Sequence, residues 1–152
     1  MVATGPGVRL EQIAQEVFEV LTHLGLAAPS RRRRGGDLKE IEFLTLSLLQ
    51  GRGTMVVGTI QRQLGVLPAQ MSRIIRSLED RERPMISCQI NSHDKRKVDV
   101  CMTPAGEKAL QDYQAERVGR IADILRDLPE DAQEELGRLL DRLRTRLGRQ
   151  SG

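Results

Sequence analysis

Between residues 54 and 102 the hydrophobic repeat changes period once, and that change restricts the fold more than anything else in the chain. From Pro68, the apolar residues Met71, Ile74, Ile75 and Leu78 recur at the i, i+3, i+4, i+7 spacing of a helix with one apolar face. Gln70, Ser72, Arg73, Arg76 and Ser77 are left to the other faces, and a helix is expected over 68–82. Beyond Pro84 the period is two. Ile86, Cys88 and Ile90 alternate with Ser87 and Gln89, then Val98, Val100 and Met102 alternate with Asp99 and Cys101. This predicts a hairpin over 85–102 whose tip, Asn91 to Lys97, is polar and basic. Upstream, Val56, Val57, Ile60 and Leu64 mark the inner face of a shorter helix. Gly65 is placed to close that helix in a left-handed conformation, and Val66 to pack the turn. Pro68 takes a first-turn position, where a missing N–H costs nothing. Helix, tight turn, helix and hairpin make a winged helix-turn-helix. A polar helix face beside a basic hairpin tip is what such a unit needs to grip duplex DNA.

The flanks are helical and apolar. Leu10, Ile13, Ala14, Val17, Phe18, Leu21 and Leu24 form one stripe over about Val8–Leu24, with Gly25 as the expected stop. Asp37 offers an N-cap to a second helix, with Glu40 three residues on to complete a capping box. That helix carries Leu38, Ile41, Phe43, Leu44, Leu46, Leu48 and Leu49, and Gly51-Arg52-Gly53 ends it. Thr103-Pro104 starts a long helix whose stripe runs to Leu128, and Pro129 opens a last one striped by Leu136, Leu139, Leu140, Leu143 and Leu147. Glu130 and Asp131 at its start and Arg142, Arg144, Arg146 and Arg149 near its end follow the order the helix dipole favours. The expectation is a mainly α fold of about six helices with a small β-hairpin wing. Residues 1–152 are read as one domain, with a winged lobe over 37–102 and dimerisation helices over 8–36 and 103–150. The stripes are wider than one small core requires, so the first and last helices are expected to build a homodimer.

Aromatic residues make up only 2% of the chain, so the core must be aliphatic. The net charge of +3 permits a nucleic-acid partner without demanding one. The surplus is local: residues 54–102 hold eight Lys or Arg against five Asp or Glu, whereas residues 103–152 hold nine against ten. Two cysteines are too few for a disulfide framework, and no signal-like or membrane-length apolar run is present. A cytoplasmic protein without a membrane partner is the default expectation. Arg31-Arg32-Arg33-Arg34 reads either as a basic arm that touches phosphate or as a solvated loop between helices.

Three pieces, in order, resemble the MarR family of transcriptional regulators over roughly Val8 to Gly148. Leu64-Gly65-Val66, then Ser72-Arg73-Ile74-Ile75 and Leu78-Glu79, resemble the family's turn and recognition helix. Asp94-Lys95-Arg96, Val98 to Met102 and Thr103-Pro104-Ala105-Gly106 resemble its wing and the entry to its long helix. Leu128-Pro129-Glu130 with the Leu-rich end is similar to its last dimer helix. The resemblance implies a homodimer that binds a pseudopalindromic operator, most simply as a repressor, with a small-molecule effector or an oxidant as an open possibility. The chain departs from the family pattern at Glu82-Arg83-Pro84, where Gly-Leu is usual, which lengthens the turn into the wing. Leu67 stands where a Ser or Thr cap is common, Val56 replaces a common Thr cap for which Thr54 is a substitute, and Gln61 replaces a small Ala.

The candidate DNA-binding residues follow from these elements. Gln70 has an amide that can pair bidentately with adenine, and Arg73 suits guanine or phosphate. Ser72 and Arg76 suit phosphate, fixing register. At the wing, Arg96 suits a narrow minor groove, with Asp94 orienting it through a charge-assisted hydrogen bond. Lys95 and Lys97 suit phosphate, and His93 is either a contact strengthened by protonation or a solvated loop residue.

Other chemistries have less to stand on. Hairpin parity puts Cys88 and Cys101 on opposite sheet faces, against a disulfide and against a Cys88–His93–Cys101 metal site, which also lacks a fourth ligand. Cys88 reads as a small core residue and Cys101 as the more exposed thiol. No phosphate-cradling loop, nucleophile motif or metal-ligand cluster points to an enzyme or a cofactor. Two alternatives to a DNA-binding regulator are a winged-helix dimer that acts as a protein-interaction module and a thiol-responsive regulator.

Overall fold

The computed structural model describes residues 6–26 and 38–150. The elements in chain order are α1 (Pro6–Leu26), α2 (Glu40–Arg52), β1 (Met55–Val56), α3 (Val57–Leu64), α4 (Pro68–Glu79), β2 (Ile86–Ile90), β3 (Val98–Met102), α5 (Pro104–Leu125) and α6 (Glu130–Gln150). They fall into two compact units, one of residues 38–116 and one of residues 6–26 with 117–150. Arg31 to Arg34 and the expected cap Asp37 lie outside the described residues.

In the first unit α2, α3, α4 and the start of α5 enclose an aliphatic core. Leu46, Leu49, Ile60, Met71, Leu78, Ile86, Val100 and Leu110 are buried at 2% exposure or less. The aliphatic composition dictated a core of this kind. Its one aromatic element is Phe43 stacked on Tyr113, ring centres 4.3 Å apart. Helix α2 starts at Glu40, with Lys39 as its cap. The Lys39 N–H donates to Glu42 Oε1 at 2.8 Å, so the reciprocal acidic residue is Glu42 rather than Glu40. Helix α3 ends as its glycine requires. Gly65 has φ 66°, and its N–H donates to Gln61 O at 3.0 Å. Pro68 then occupies the first turn of α4.

The sheet has three antiparallel strands in the order β1-β3-β2. The hairpin register pairs Ile86 with Met102, Cys88 with Val100 and Ile90 with Val98. The third strand corrects the sequence reading. Val56 is not on a helix face but pairs with Asp99, beside Met55 on Val100. Two residues are too short a run to carry a visible period. Val56 also supplies the extended cap of α3 without a side-chain bond, so Thr54 is not a substitute cap.

Two helix ends and the burial of the hairpin differ from expectation. Helix α4 ends at Glu79 rather than continuing to 82, because Asp80 to Pro84 turn back toward the sheet. Helix α1 runs through Gly25 to Leu26. Ile90 and Val98 share the apolar phase of Ile86 and Val100, yet they are 69% and 37% exposed. Burial falls along the hairpin from Ile86, at 1%, to its tip, because only the base of the wing is backed by helices.

In the second unit, α1, the end of α5 and α6 keep their apolar stripes largely exposed in the single chain. Phe18 and Leu147 are each 65% exposed, and Leu143 is 57% exposed. The α5–α6 turn is closed by the Gln133 amide, which donates to the carbonyls of Leu128 at 2.9 Å and Leu125 at 3.2 Å. Among the described residues no helix is long and apolar enough to cross a membrane.

Candidate nucleic-acid interface

The lobe of residues 38–116 carries a groove of about 740 Å³ between α4, the start of α3 and the wing. Its cations come from three elements: Arg62 on α3, Arg76 on α4, and Arg96 and Lys97 on the wing. Glu79 and Asp80 line it too, and Val57, Ile75, Cys88 and Val98 contribute apolar surface. Four lining residues, Gly58, Thr59, Arg62 and Asp80, were not singled out from sequence. Thr59 and Arg62 lie on the helix before the turn, with Arg62 Nη2 donating to Thr59 Oγ1 at 3.3 Å. The available signal was their phase, since they fall between Val57, Ile60 and Leu64 on the outer side of α3.

The groove divides the sequence-derived candidates. Ser72, Arg76, Arg96 and Lys97 come together in it, whereas Gln70, Arg73, His93, Asp94 and Lys95 do not line it. Gln70 and Arg73 stand exposed near the leading end of α4. Ser72 is exposed and its hydroxyl donates to Pro68 O at 3.1 Å. Met71, Ile74 and Leu78 are 1%, 5% and 0% exposed, which seats α4 on the core by its apolar face. Burying each such side chain contributes roughly 1.5–3 kcal/mol.

The far end of α4 is held by a charge. Glu42 of α2, 1% exposed, accepts from Ser77 Oγ at 2.6 Å and from Arg81 Nη2 at 2.9 Å. Arg81 Nε also donates to Ser77 O at 3.0 Å. Burial alone raises the Glu42 pKa. The bonds from Ser77, the Lys39 N–H and Arg81, with the Arg81 charge, more than offset that, and the carboxyl lies below its usual range. Sequence reasoning missed Glu42, because a carboxylate inside an apolar helix pattern gives no local sign of its partners 35 and 39 residues away.

The wing tip is built on side-chain bonds to its own backbone. Asn91 Oδ1 accepts the N–H groups of His93 at 2.9 Å and Asp94 at 3.0 Å. Asn91 Nδ2 donates to Asp99 Oδ1 at 3.0 Å. Asp94 Oδ1 accepts the Arg96 N–H at 3.0 Å and Arg96 Nε at 3.2 Å. These two bonds hold the Asp94 carboxyl below its usual pKa, and Arg96 itself stays 90% exposed. Asp94 thus aims a cation outward without neutralising it by burial. Asn91 and Asp99, which shape the tip, were not among the sequence candidates.

The wing is anchored at its base in spite of the long turn through Glu82-Arg83-Pro84. The Met85 N–H donates to Leu78 O at 2.9 Å, and the Thr103 N–H to Met85 O at 3.1 Å. The Thr103 hydroxyl donates to Pro84 O at 2.6 Å and accepts the Gly106 N–H at 3.2 Å, capping α5.

The two thiols face opposite sides of the sheet, since Cys88 is opposite Val100 and Cys101 opposite Ser87. Both are half-buried. Burial, followed by the nearby Glu79 carboxylate, pushes the Cys88 thiol up to about 11, away from thiolate reactivity.

Neither a family model nor a curated protein matches the sequence. Solved structures do. The transcriptional regulator Tm0710 from Thermotoga maritima aligns with a TM-score of 0.71 at 18% identity, over 91% of this chain and 96% of that one. MepR, a transcription regulator of the Staphylococcus aureus multidrug efflux pump MepA, aligns at 0.68 and 17% identity, over 88% and 97%. The YusO protein from Bacillus subtilis aligns at 0.68 and 18% identity, over 93% and 99%. The fold is that of the MarR-type winged-helix regulators. In this chain the helix-turn-helix of α3 and α4 lies between β1 and the β2–β3 hairpin of the three-stranded sheet.

Proposed function

We propose that the chain is a DNA-binding transcriptional regulator of the MarR family. In this reading two copies bind a pseudopalindromic operator and repress by excluding polymerase. The supporting observation is the groove. It gathers Arg62, Ser72, Arg76, Arg96 and Lys97 from three elements of one lobe, with Gln70 and Arg73 exposed beside it on α4. Cations spread over a concave surface follow a phosphate backbone, and a polar helix end beside them suits base edges. Phosphate contacts by Ser72, Arg76 and Lys97 would set the register, with Gln70 and Arg73 reading bases. Arg96, held outward by Asp94, would enter the adjacent minor groove. Apolar stripes on α1, the end of α5 and α6 supply a surface for a second copy. Half-sites would then lie about one helical turn, ~34 Å, apart.

The test is a titration of duplex DNA at several salt concentrations. The expected result is a steep fall of affinity with salt, with Arg96→Ala lowering the slope by about 1 for every sequence. Gln70→Ala should instead change base preference at one position per half-site. Absence of binding at low salt would leave the winged dimer as a protein-interaction module.

A further inference from the structure

The most exposed large apolar side chain among the described residues is Leu67, at 74%. It stands at the N-cap of α4 with extended backbone, φ −73° and ψ 154°, and makes no side-chain bond to the first N–H groups of the helix. Both features are unfavourable in a free protein. A Ser, Thr, Asp or Asn at this position satisfies an orphan N–H, which leucine cannot do. A bare isobutyl group also forgoes the gain of burial. Local packing does not require it, because Val66, one residue earlier, packs against the core that holds Met71. These two occupy the paired positions of a hydrophobic staple.

The neighbours of Leu67 indicate what it meets. Side chains at the N-cap and at the third helical position lie side by side, the geometry by which a capping box closes. Here they are Leu67 and Gln70, both exposed, with exposed Ala69 between them. The leading end of α4 therefore presents an apolar branched side chain beside an amide, and it carries no charge. In the major groove an A·T pair offers adenine N6 and N7, which suit an amide, and the thymine methyl, an apolar group on the base edges.

Resting on the DNA-binding reading above, we propose that Leu67 is a specificity-determining residue that covers a thymine methyl group in each half-site, beside the base met by Gln70. Substituting a polar cap by leucine gives up helix capping and a hydroxyl contact to phosphate. It gains a contact that depends on one methyl group of the DNA.

The test uses the full chain and a duplex that it enriches from a random-sequence pool. That duplex is resynthesised with deoxyuridine in place of thymine, one position at a time. Deoxyuridine removes the methyl group and keeps every hydrogen-bonding group. Binding should weaken about fourfold at one thymine per half-site, which corresponds to the ~0.8 kcal/mol of one buried methyl-sized group. Leu67→Ala should bind the thymine and uracil duplexes alike at that position. Leu67→Ser should do the same while melting no lower than the wild type, because its hydroxyl supplies the missing cap. That variant separates a lost contact from a lost fold. The proposal is overturned if both variants keep the uracil sensitivity, if no thymine of a bound duplex shows it, or if Leu67→Ala alters only self-association. A chain that enriches no sequence overturns the DNA-binding reading as well, so the two failures are distinguishable.

Discussion

Gly106 sits where the first turn of α5 crosses the base of the wing, and Gly106→Ala should be among the most damaging single-methyl changes in the lobe. A Cβ there would overlap the Met85 carbonyl oxygen. It would also lie 3.0 Å from the Met85 carbonyl carbon and 2.9 Å from Met102 Cγ. The Met102 side chain can rotate away, but the Met85 carbonyl cannot. It accepts the Thr103 N–H, and the preceding Pro84 carbonyl accepts the Thr103 hydroxyl. The methyl must therefore lift the start of α5 off the strand. Overpacking of this kind costs about 1–3 kcal/mol. The two Thr103 bonds that it strains contribute about 1 kcal/mol each. Alanine recovers about 1 kcal/mol through helix propensity. The net expectation is a loss of about 2–4 kcal/mol, or roughly 5–15 °C in Tm for a chain of this size. Circular dichroism followed through thermal and urea unfolding measures it. Gly51→Ala is the control, since Gly51 lies in α2 with nothing within 4 Å of its would-be Cβ. It should be neutral or stabilise by about 0.5–1 kcal/mol. If Gly106→Ala were as stable as Gly51→Ala, the close approach at the wing base would not exist and the reasoning would fail.

Glu42→Gln should destabilise the lobe by about 2–4 kcal/mol at pH 7, because it removes the buried negative charge that accepts from the Ser77 hydroxyl, the Lys39 N–H and the Arg81 guanidinium. The folded Glu42 pKa is depressed, so its contribution is present above the unfolded carboxylate pKa and is lost as pH falls through the folded value. The gap between wild type and variant should therefore narrow below about pH 4.5, and a gap independent of pH would count against the charge. Asn91→Ala should loosen the wing tip and weaken duplex binding much as Arg96→Ala does, with Tm nearly unchanged because the tip is exposed. Asn91→Asp should be worse, placing a like charge against Asp99. Cys88, its pKa near 11, should be alkylated at pH 8 about two orders of magnitude more slowly than an unperturbed thiol. Modification at the rate of a free thiol would reopen the thiol-responsive reading.

Where the sequence reading succeeded, the information was local and periodic. The switch from a period of 3.6 to a period of two around Pro84 placed α4 and the hairpin, and the apolar phase of Cys88 and Val100 set the register that puts the thiols on opposite faces. Gly65 and Pro68 marked the turn because few residues tolerate a left-handed φ or a missing N–H. What was not legible depends on partners far apart in the chain. Strand β1 exists because Met55 and Val56 find β3 more than 40 residues later, and nothing in a dipeptide announces that. Glu42 looks like an exposed carboxylate until Ser77 and Arg81 are brought over it. The end of α4 was placed too late because Asp80 to Glu82 are good helix formers or neutral. The chain turns there only because Met85 must bond Leu78 O and reach the sheet. At the interface, the residue types were readable but their grouping was not. Arg62 joins Arg76 and Arg96 only once α3 and the wing flank the same groove.

The groove between α4 and the wing is shaped by residues that do not line it. One wall is α4, seated by Met71, Ile74 and Leu78, with its far end tied by Ser77 and Arg81 to Glu42 of α2. The other wall is the wing, fixed at its base by Thr103 and Gly106 and at its tip by Asn91 and Asp94. The long turn of Glu82-Arg83-Pro84 connects the two walls, and a longer connector alone would let them drift. It does not, because Met85 is bonded on both sides, its N–H to Leu78 of α4 and its carbonyl to Thr103 at the start of α5. One residue thus links the end of the helix to the base of the hairpin, and the length of the turn is absorbed outside that link. Substitutions that keep every cation but break this link should therefore weaken duplex binding through geometry, leaving the salt slope of the residual binding close to that of the wild type. Loss of Arg96 has the opposite signature, a lower slope with the groove intact.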